Sequence, residues 1–258
     1  MESNTGTKLS ILVKIIKLVK NWYVVPLAHY GLIRTPSFVL HLRNGKHLKL
    51  RTNSTDIEAF VNVWIIQEYN VKNFEINHND TIIDIGAHIG LFSVYASQFC
   101  RTGKIISFEP VKENYDVLLE NIRLNNLDNV SAFNLAVSGT SEPLKIYLNR
   151  TDNAAHTIYG SGENYVKINS TTLGDVIDSK CIEVDLIKLD CEGAEYDILD
   201  SLSEDHFKKI KKISMEYHII NNDLERLKKI KMKLQEFGFN IITKSEKQNY
   251  GLIFADKQ

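Results

Sequence analysis

Apolar and polar positions alternate with changing period along this chain, and the changes mark its elements. Near the start, Ile11, Leu12, Ile15, Ile16 and Val19 recur at helical spacing, which predicts one helix over residues 8–25. Two short runs, 38–42 and 47–51, flank Asn44-Gly45, a pair suited to the positive φ of a tight turn, so a β-hairpin is expected. A helix capped by Ser54 or Thr55 follows, with Ile57, Phe60, Val61, Trp64 and Ile65 on one face and an end near Tyr69. From Thr81 onward strands and helices alternate: strands 81–85, 104–108 and 130–137, with helices 90–99 and 112–125 between them. Ile82, Ile83 and Ile85 make the continuous β-branched run of a strand covered on both faces. Residues 149–169 are polar and read as a loop or irregular hairpin. Beyond them the pattern predicts helix 173–178, strand 185–189, helix 194–202, strand 212–217 and helix 222–236, the last stopped by Gly238. Residues 239–243 and 251–255 then form a terminal pair of strands. The alternation implies an α/β fold with a parallel sheet and right-handed crossovers.

At 258 residues the chain holds one large domain and a modest addition. We divide it into an N-terminal helical and β-hairpin extension, 1–75, and a main domain, 76–258. The formal net charge is -1 with both signs mixed along most of the chain, which argues against nucleic acid and for a small-molecule or glycan partner. Cys100, Cys181 and Cys191 show no metal-binding spacing and suit a reducing, cytoplasmic setting. Lys14, Lys17 and Lys20 interrupt the N-terminal apolar run, so no transmembrane segment is expected. That helix either packs on the protein's own core, the favoured reading, or makes a peripheral membrane contact; it could also mediate a dimer.

Candidate chemistry starts where the first buried strand ends, at Asp84-x-Gly86-x-His88-x-Gly90. This differs from the G-x-G-x-x-G that seats a pyrophosphate, and a carboxylate in that position disfavours phosphate. A cationic ligand such as S-adenosylmethionine suits it better. Open α/β sheets bind ligands at the carboxyl ends of their strands. Polar residues fall at those ends: Glu109 before Pro110, Asn134 with Ala136, Asp190, and Glu216 with His218. Glu109, 19 residues past Gly90, is placed to accept the hydroxyls of a ribose.

Several segments together resemble the FkbM-type methyltransferase family. They are the run 83–93, Phe108-Glu-Pro with Asn114, Asn121-Ile-Arg-Leu-Asn, the block 185–199 containing Lys188-Leu-Asp-Cys-Glu-Gly-Ala-Glu195, and Met215-Glu-Tyr-His. The upstream segment 51–69 matches too, so the likeness spans about 38–256. It implies a Rossmann-like class I methyltransferase sheet of seven strands with the last one antiparallel. It also implies S-adenosylmethionine as cofactor, held by Asp84, Gly86, Ala87, His88 and Gly90, with Glu109 and Pro110 at the ribose, Asn134 and Ala136 near the adenine, and Asp190 at the amino-acid end or the acceptor. His88 departs from the family's usual Asn.

The activity so implied is O-methylation of a hydroxyl on a sugar or secondary metabolite. Asp190, Glu192, Glu216 and His218 are the candidate bases for the acceptor's proton. Magnesium bridging Asp190, Glu192 and Glu216 ranks below a metal-free base. A catalytically inactive cofactor-binding or scaffold protein is the alternative, and a nicotinamide oxidoreductase is disfavoured by Asp84 and the terminal hairpin. Tyr159, Tyr165 and His156 are expected nearer the acceptor than the cofactor.

Overall fold

In the computed structural model, which describes residues 5–147, 165–180, 182–219, 223–244 and 250–257, the N-terminal apolar run folds as two helices, α1 (Thr5–Leu18) and α2 (Val24–His29). The expected single helix breaks because the chain is drawn onto the hairpin that follows. Val19 bridges Leu42, and the Asn21 side chain donates to Val39 O at 2.8 Å while accepting from His41 N–H at 2.9 Å. That hairpin, β1 (Ser37–His41) with β2 (His47–Arg51), is antiparallel and turns near Gly45, as its sequence predicts. Next, α3 (Asp56–Phe60) runs into a wider π-helical turn, Val61–Ile66, which Gln67 ends with a φ of 56°.

The predicted alternation then unfolds as β3 (Thr81–Ile85), α4 (Leu91–Ala96), β4 (Lys104–Phe108), α5 (Lys112–Leu124) and β5 (Val130–Phe133). The strand expected over 130–137 is interrupted, and its second part is β6 (Ala136–Ser138). Asn134 causes the break by donating its amide to the carbonyls of Glu109 and Pro110 at 3.0 and 2.8 Å, which turns the chain out of the sheet. Two small pairs lie beside the main sheet: β7 (Leu144–Tyr147) with β8 (Tyr165–Ile168), and β6 with β9 (Ser170–Thr172). Part of the segment read as a loop is therefore strand. The rest of the chain supplies α6 (Leu173–Lys180), β10 (Leu186–Leu189), α7 (Glu195–Asp200), α8 (Glu204–Lys208), β11 (Lys212–His218), α9 (Leu224–Glu236), β12 (Asn240–Lys244) and β13 (Tyr250–Asp256). Sequence periodicity missed α8, a single short turn fixed by a capping box between Ser203 and His206.

Seven strands form the main sheet in the order β12-β13-β11-β10-β3-β4-β5, with β13 alone running against the others. This is the α/β arrangement expected, including the antiparallel last strand. Successive residues of each strand face opposite cores. Ile82, Ile105 and Leu186 pack with Leu40, Leu48, Leu50 and Phe60 of the N-terminal segment, whereas Ile83, Ile106 and Ile187 pack with Leu173, Ile198 and Phe207. Each such side chain stabilises the fold by about 1.5–3 kcal/mol on full burial. The N-terminal helices and hairpin thus cover one face of the sheet. No helix among the described residues is long and apolar enough to cross a membrane. Strand order reverses between β3 and β10, which opens a crevice at their carboxyl ends.

Candidate functional site

Lys188 ties the two sides of that crevice together. Its Nζ lies 2.7 Å from Gly86 O, 3.4 Å from Asp84 Oδ1 and 3.7 Å from Asp190 Oδ2, so one buried ammonium joins the β3 loop to the β10 loop. Burial alone would lower its pKa, yet Asp84 and Asp190 outweigh burial and the net shift is upward. Asp84 is fully buried and also accepts from Ser93 Oγ at 2.6 Å. Its charge is therefore answered inside the protein by Lys188 and does not line the cavity, which corrects the expectation that it selects a cationic ligand directly. Gly86 has a φ of 74°, and a Cβ there would overlap the Asp190 carbonyl oxygen. This backbone contact by itself calls for glycine. Gly90 likewise stays off the cavity, at the start of α4.

Glu109 forms the second fixed point. It is buried, accepts His88 N–H on Oε2 at 2.8 Å, and accepts Val111 N–H at 2.9 Å and the Asn114 amide at 3.3 Å on Oε1. Burial pushes its pKa up to about 7, against these hydrogen bonds, which favour the carboxylate. His88 adopts a φ of 51°, and its Nε2 is 3.0 Å from Arg51 Nη2. Burial brings its pKa down to about 4, so the ring is neutral and Nε2 accepts from the guanidinium. Arg51 also grips the buried Asp56 with Nε and Nη2, at 3.0 and 2.8 Å. The contact of Arg51 with His88, 37 residues away along the chain, was not read from sequence. The signal for Arg51 and Asp56 was that Arg51 opens, and Thr55-Asp-Ile lies within, the segment resembling the family.

Across the crevice the residues are acidic. Asp190, Glu192 and Glu216 line the same cavity as Gly86, Ala87, His88, Glu109, Pro110 and Ala136. Tyr69 donates to Asp190 Oδ2 at 3.2 Å, and burial followed by the charge of Asp190 raises the phenol's pKa, so it remains a donor. Tyr69 was read from sequence as a helix end and as the close of the segment resembling the family, with no role in the site. His218 lies behind this rim, with Nδ1 3.2 Å from Glu195 Oε1 and Nε2 3.3 Å from Glu192 Oε2 and 3.7 Å from Glu216 Oε1. Burial opposes its charge, but Glu195, Glu192 and Asp190 prevail and push its pKa up to about 10. Glu216 goes the other way for a carboxyl: burial first, then Asp190, pushes it up to about 8, with His218 opposing. Near neutral pH His218 is thus an imidazolium with no lone pair for a proton, and Glu216 is mostly protonated. Ligand atoms of Asp190, Glu192 and His218 also fall within 4.8 Å of one another, although the Lys188 ammonium beside Asp190 opposes a cation there.

Besides Asp84, Gly90 and His218, two further expected positions do not reach the cavity. Asn134 spends its amide on the Glu109 and Pro110 carbonyls, which shapes the loop, and it does not line the cavity. Tyr165 stands on β8 with its ring against Tyr147, at 5.8 Å between centroids, and does not line the cavity, whereas Leu144 and Ile146 of β7 do. His156 and Tyr159 lie outside the described residues.

The model of the methyltransferase FkbM domain matches residues 84–241, from the acid of β3 to the start of β12. The chain belongs to the FkbM methyltransferase family. It is accordingly a methyltransferase. Curated relatives agree: methyltransferase sdnD of Sordaria araneosa is 29% identical over 181 residues, covering 57% of this chain and 69% of that protein. Methyltransferase 1 of Beauveria bassiana is 26% identical over 205 residues, covering 69% of this chain and 79% of its own. Among solved structures, the FkbM methyltransferase of Methylobacillus flagellatus superposes with a TM-score of 0.53 at 13% identity, over 97% of this chain and 59% of that one, which is a likeness of fold. The FkbM match includes Lys188 and the acid rim, and excludes α1, α2 and the β1-β2 hairpin.

Proposed function

We propose that this FkbM methyltransferase uses S-adenosylmethionine to methylate a hydroxyl on a sugar or secondary metabolite. The observation that carries the reading is the division of one cavity between a buried carboxylate, Glu109, held by three donors, and an acid rim at Asp190. A carboxylate has about four acceptor sites, so Glu109 retains capacity for a ribose hydroxyl. Ala87, His88 and Pro110 fit along the nucleoside, and Ala136 fits beside the adenine. When bound, the sulfonium of this cofactor supplies an activated methyl group that an oxygen nucleophile can take.

Alignment of that oxygen accounts for much of the rate. The remaining need is a base for its proton, and Asp190 is the group best placed. Tyr69 and Lys188 fix its carboxylate, and it opens onto the cavity. His218 is the wrong protonation state for the role, and Glu216 joins only as pH rises through about 8. Glu192, paired to His218, is placed to orient a polyhydroxylated acceptor. The inactive-scaffold alternative finds less support, since Asp190, Glu109 and Lys188 are all present and mutually positioned.

The experiment is incubation with methyl-labelled S-adenosylmethionine and fractionated metabolite extracts, followed by identification of the labelled product. An O-methyl ether is expected. Label confined to amines or thiols would contradict the acceptor class, and binding of NAD in place of the methyl donor would contradict the cofactor.

A further inference from the structure

The N-terminal segment has a charge unlike the rest of the chain. Of 31 lysines and arginines and 32 aspartates and glutamates, residues 1–52 hold nine and one, which leaves 22 against 31 for the remainder. Five of the nine are engaged or partly covered. Lys14 donates to Ile65 O, Arg43 to Ile16 O, Lys49 pairs with Glu120, Arg51 pairs with Asp56, and Lys46 is half-buried. Lys8, Lys17, Lys20 and Arg34 are exposed and make no side-chain hydrogen bond or ion pair with the described residues.

Exposed apolar side chains gather in the same segment. Leu9, Val13, Tyr23, Leu27, Tyr30 and Leu32 are half of the large exposed hydrophobic residues among those described, and Leu9, Val13 and Tyr30 are 62%, 42% and 75% exposed. On α1, Ile15 is buried against the core, and Ile11 and Leu18 pack beside it. Leu9, Val13 and Lys17 follow one another at four-residue spacing on the side away from Ile15, so the exposed face carries both apolar and basic groups. The helix does pack on the protein's own core, and it leaves a second face unused.

We propose that α1 and the segment to Leu32 form a docking face for an anionic phospholipid surface. Aliphatic side chains enter the acyl boundary, tyrosines favour the interfacial layer, and lysines reach the headgroups along flexible stems. A second copy of the chain would have to bring the same unpaired lysines against themselves, since a two-fold interface repeats one patch on both partners. Phospholipid supplies the opposite charge that this face lacks. Docking would also bear on the pocket, because Lys14 holds α1 to Ile65 in the turn whose Asn62 and Val63 line the cavity.

The test is co-sedimentation of the full chain with vesicles of phosphatidylserine in phosphatidylcholine, beside vesicles of phosphatidylcholine alone. Binding to the first, weakened by salt, and little binding to the second are expected. Each lysine near an anionic surface contributes about fivefold in partitioning, so a Lys17→Glu, Lys20→Glu double variant should bind at least about 25-fold more weakly. A Leu9→Ser, Val13→Ser double variant should also lose binding, with unchanged circular dichroism and unchanged S-adenosylhomocysteine binding for both. Failure to sediment with anionic vesicles would overturn the proposal. So would equal binding to both vesicle types, or binding indifferent to Leu9→Ser, Val13→Ser. A concentration-dependent dimer that this double variant dissolves, without vesicle binding, would assign the face to a second copy instead.

Discussion

The two walls of the cavity are built on different electrostatic terms. On the β3-β4 side every charge is answered within the protein: Asp84 by Lys188, Asp56 by Arg51, Glu109 by two backbone N–H groups and the Asn114 amide. On the β10-β11 side, four carboxylates, Asp190, Glu192, Glu195 and Glu216, share the cations Lys188 and His218. The first wall is a rigid mould whose shape does not depend on titration near neutrality, apart from Glu109. The second holds the groups whose protonation changes within reach of physiological pH. Under the proposed function, the walls divide two tasks, cofactor binding on the first and proton acceptance on the second.

Breaking the tie between the walls should have the largest effect. Lys188→Met leaves buried Asp84 without its cation and is expected to destabilise the fold by about 3–5 kcal/mol, measured by urea denaturation. A loss under about 1 kcal/mol would mean that Asp84 finds another partner or protonates at little cost. Gly86→Ala comes next. Its Cβ would overlap the Asp190 carbonyl at a positive φ, so a cost of about 3 kcal/mol or more is expected, whereas Gly45→Ala, with a φ of 88° and open space, should cost about 1 kcal/mol. Similar melting temperatures for the two variants would show that the crevice backbone yields.

The acid rim makes a pH prediction that the β3-β4 wall does not share in full. His218 has a folded pKa raised to about 10 above an ordinary value of 6.5, so its stabilising contribution is complete below 6.5 and is lost as pH rises through about 10. Glu216, raised to about 8, likewise favours the folded state at low pH and ceases to do so as pH rises from 4.5 through 8. Stability therefore falls with rising pH between about 4.5 and 8 through Glu216 and between about 6.5 and 10 through His218, by at most about 1.4 kcal/mol per unit for each proton. Denaturation midpoints across these ranges should show the fall, and His218→Gln should flatten the upper one. The smallest effect expected is that of His88→Asn. Asn tolerates the left-handed turn but gives up the ring's bond to Arg51, so a loss of about 1 kcal/mol and little change in cofactor affinity should appear in melting and calorimetry.

Sequence periodicity revealed those elements whose formation is local or whose faces are both buried. Ile82-Ile83-Asp84-Ile85 is legible as a central strand because its neighbours cover it twice, and Asn44-Gly45 is legible because a tight turn needs little beyond itself. The break after Phe133 was hidden, since Asn134 acts on carbonyls 24 and 25 residues upstream. The end of α1 was hidden for the same reason: Val19 and Asn21 are claimed by a hairpin that periodicity cannot place. At the site, residue types at strand ends pointed to the right crevice, but not to who pairs with whom. Asp84 reads as a free charge facing a ligand until β10 brings Lys188 beside it across more than a hundred residues. His218 reads as a base until Glu195 and Glu192 hold it protonated.

The proposed separation of binding from proton transfer rests on Asp190, and the Asp190→Asn variant tests it most directly when S-adenosylhomocysteine affinity and labelled methyl transfer are measured on the same preparation. Affinity within about threefold of the parent, with transfer to the acceptor fraction lowered by about 10²–10⁴, is the predicted result. Undiminished transfer would contradict the account.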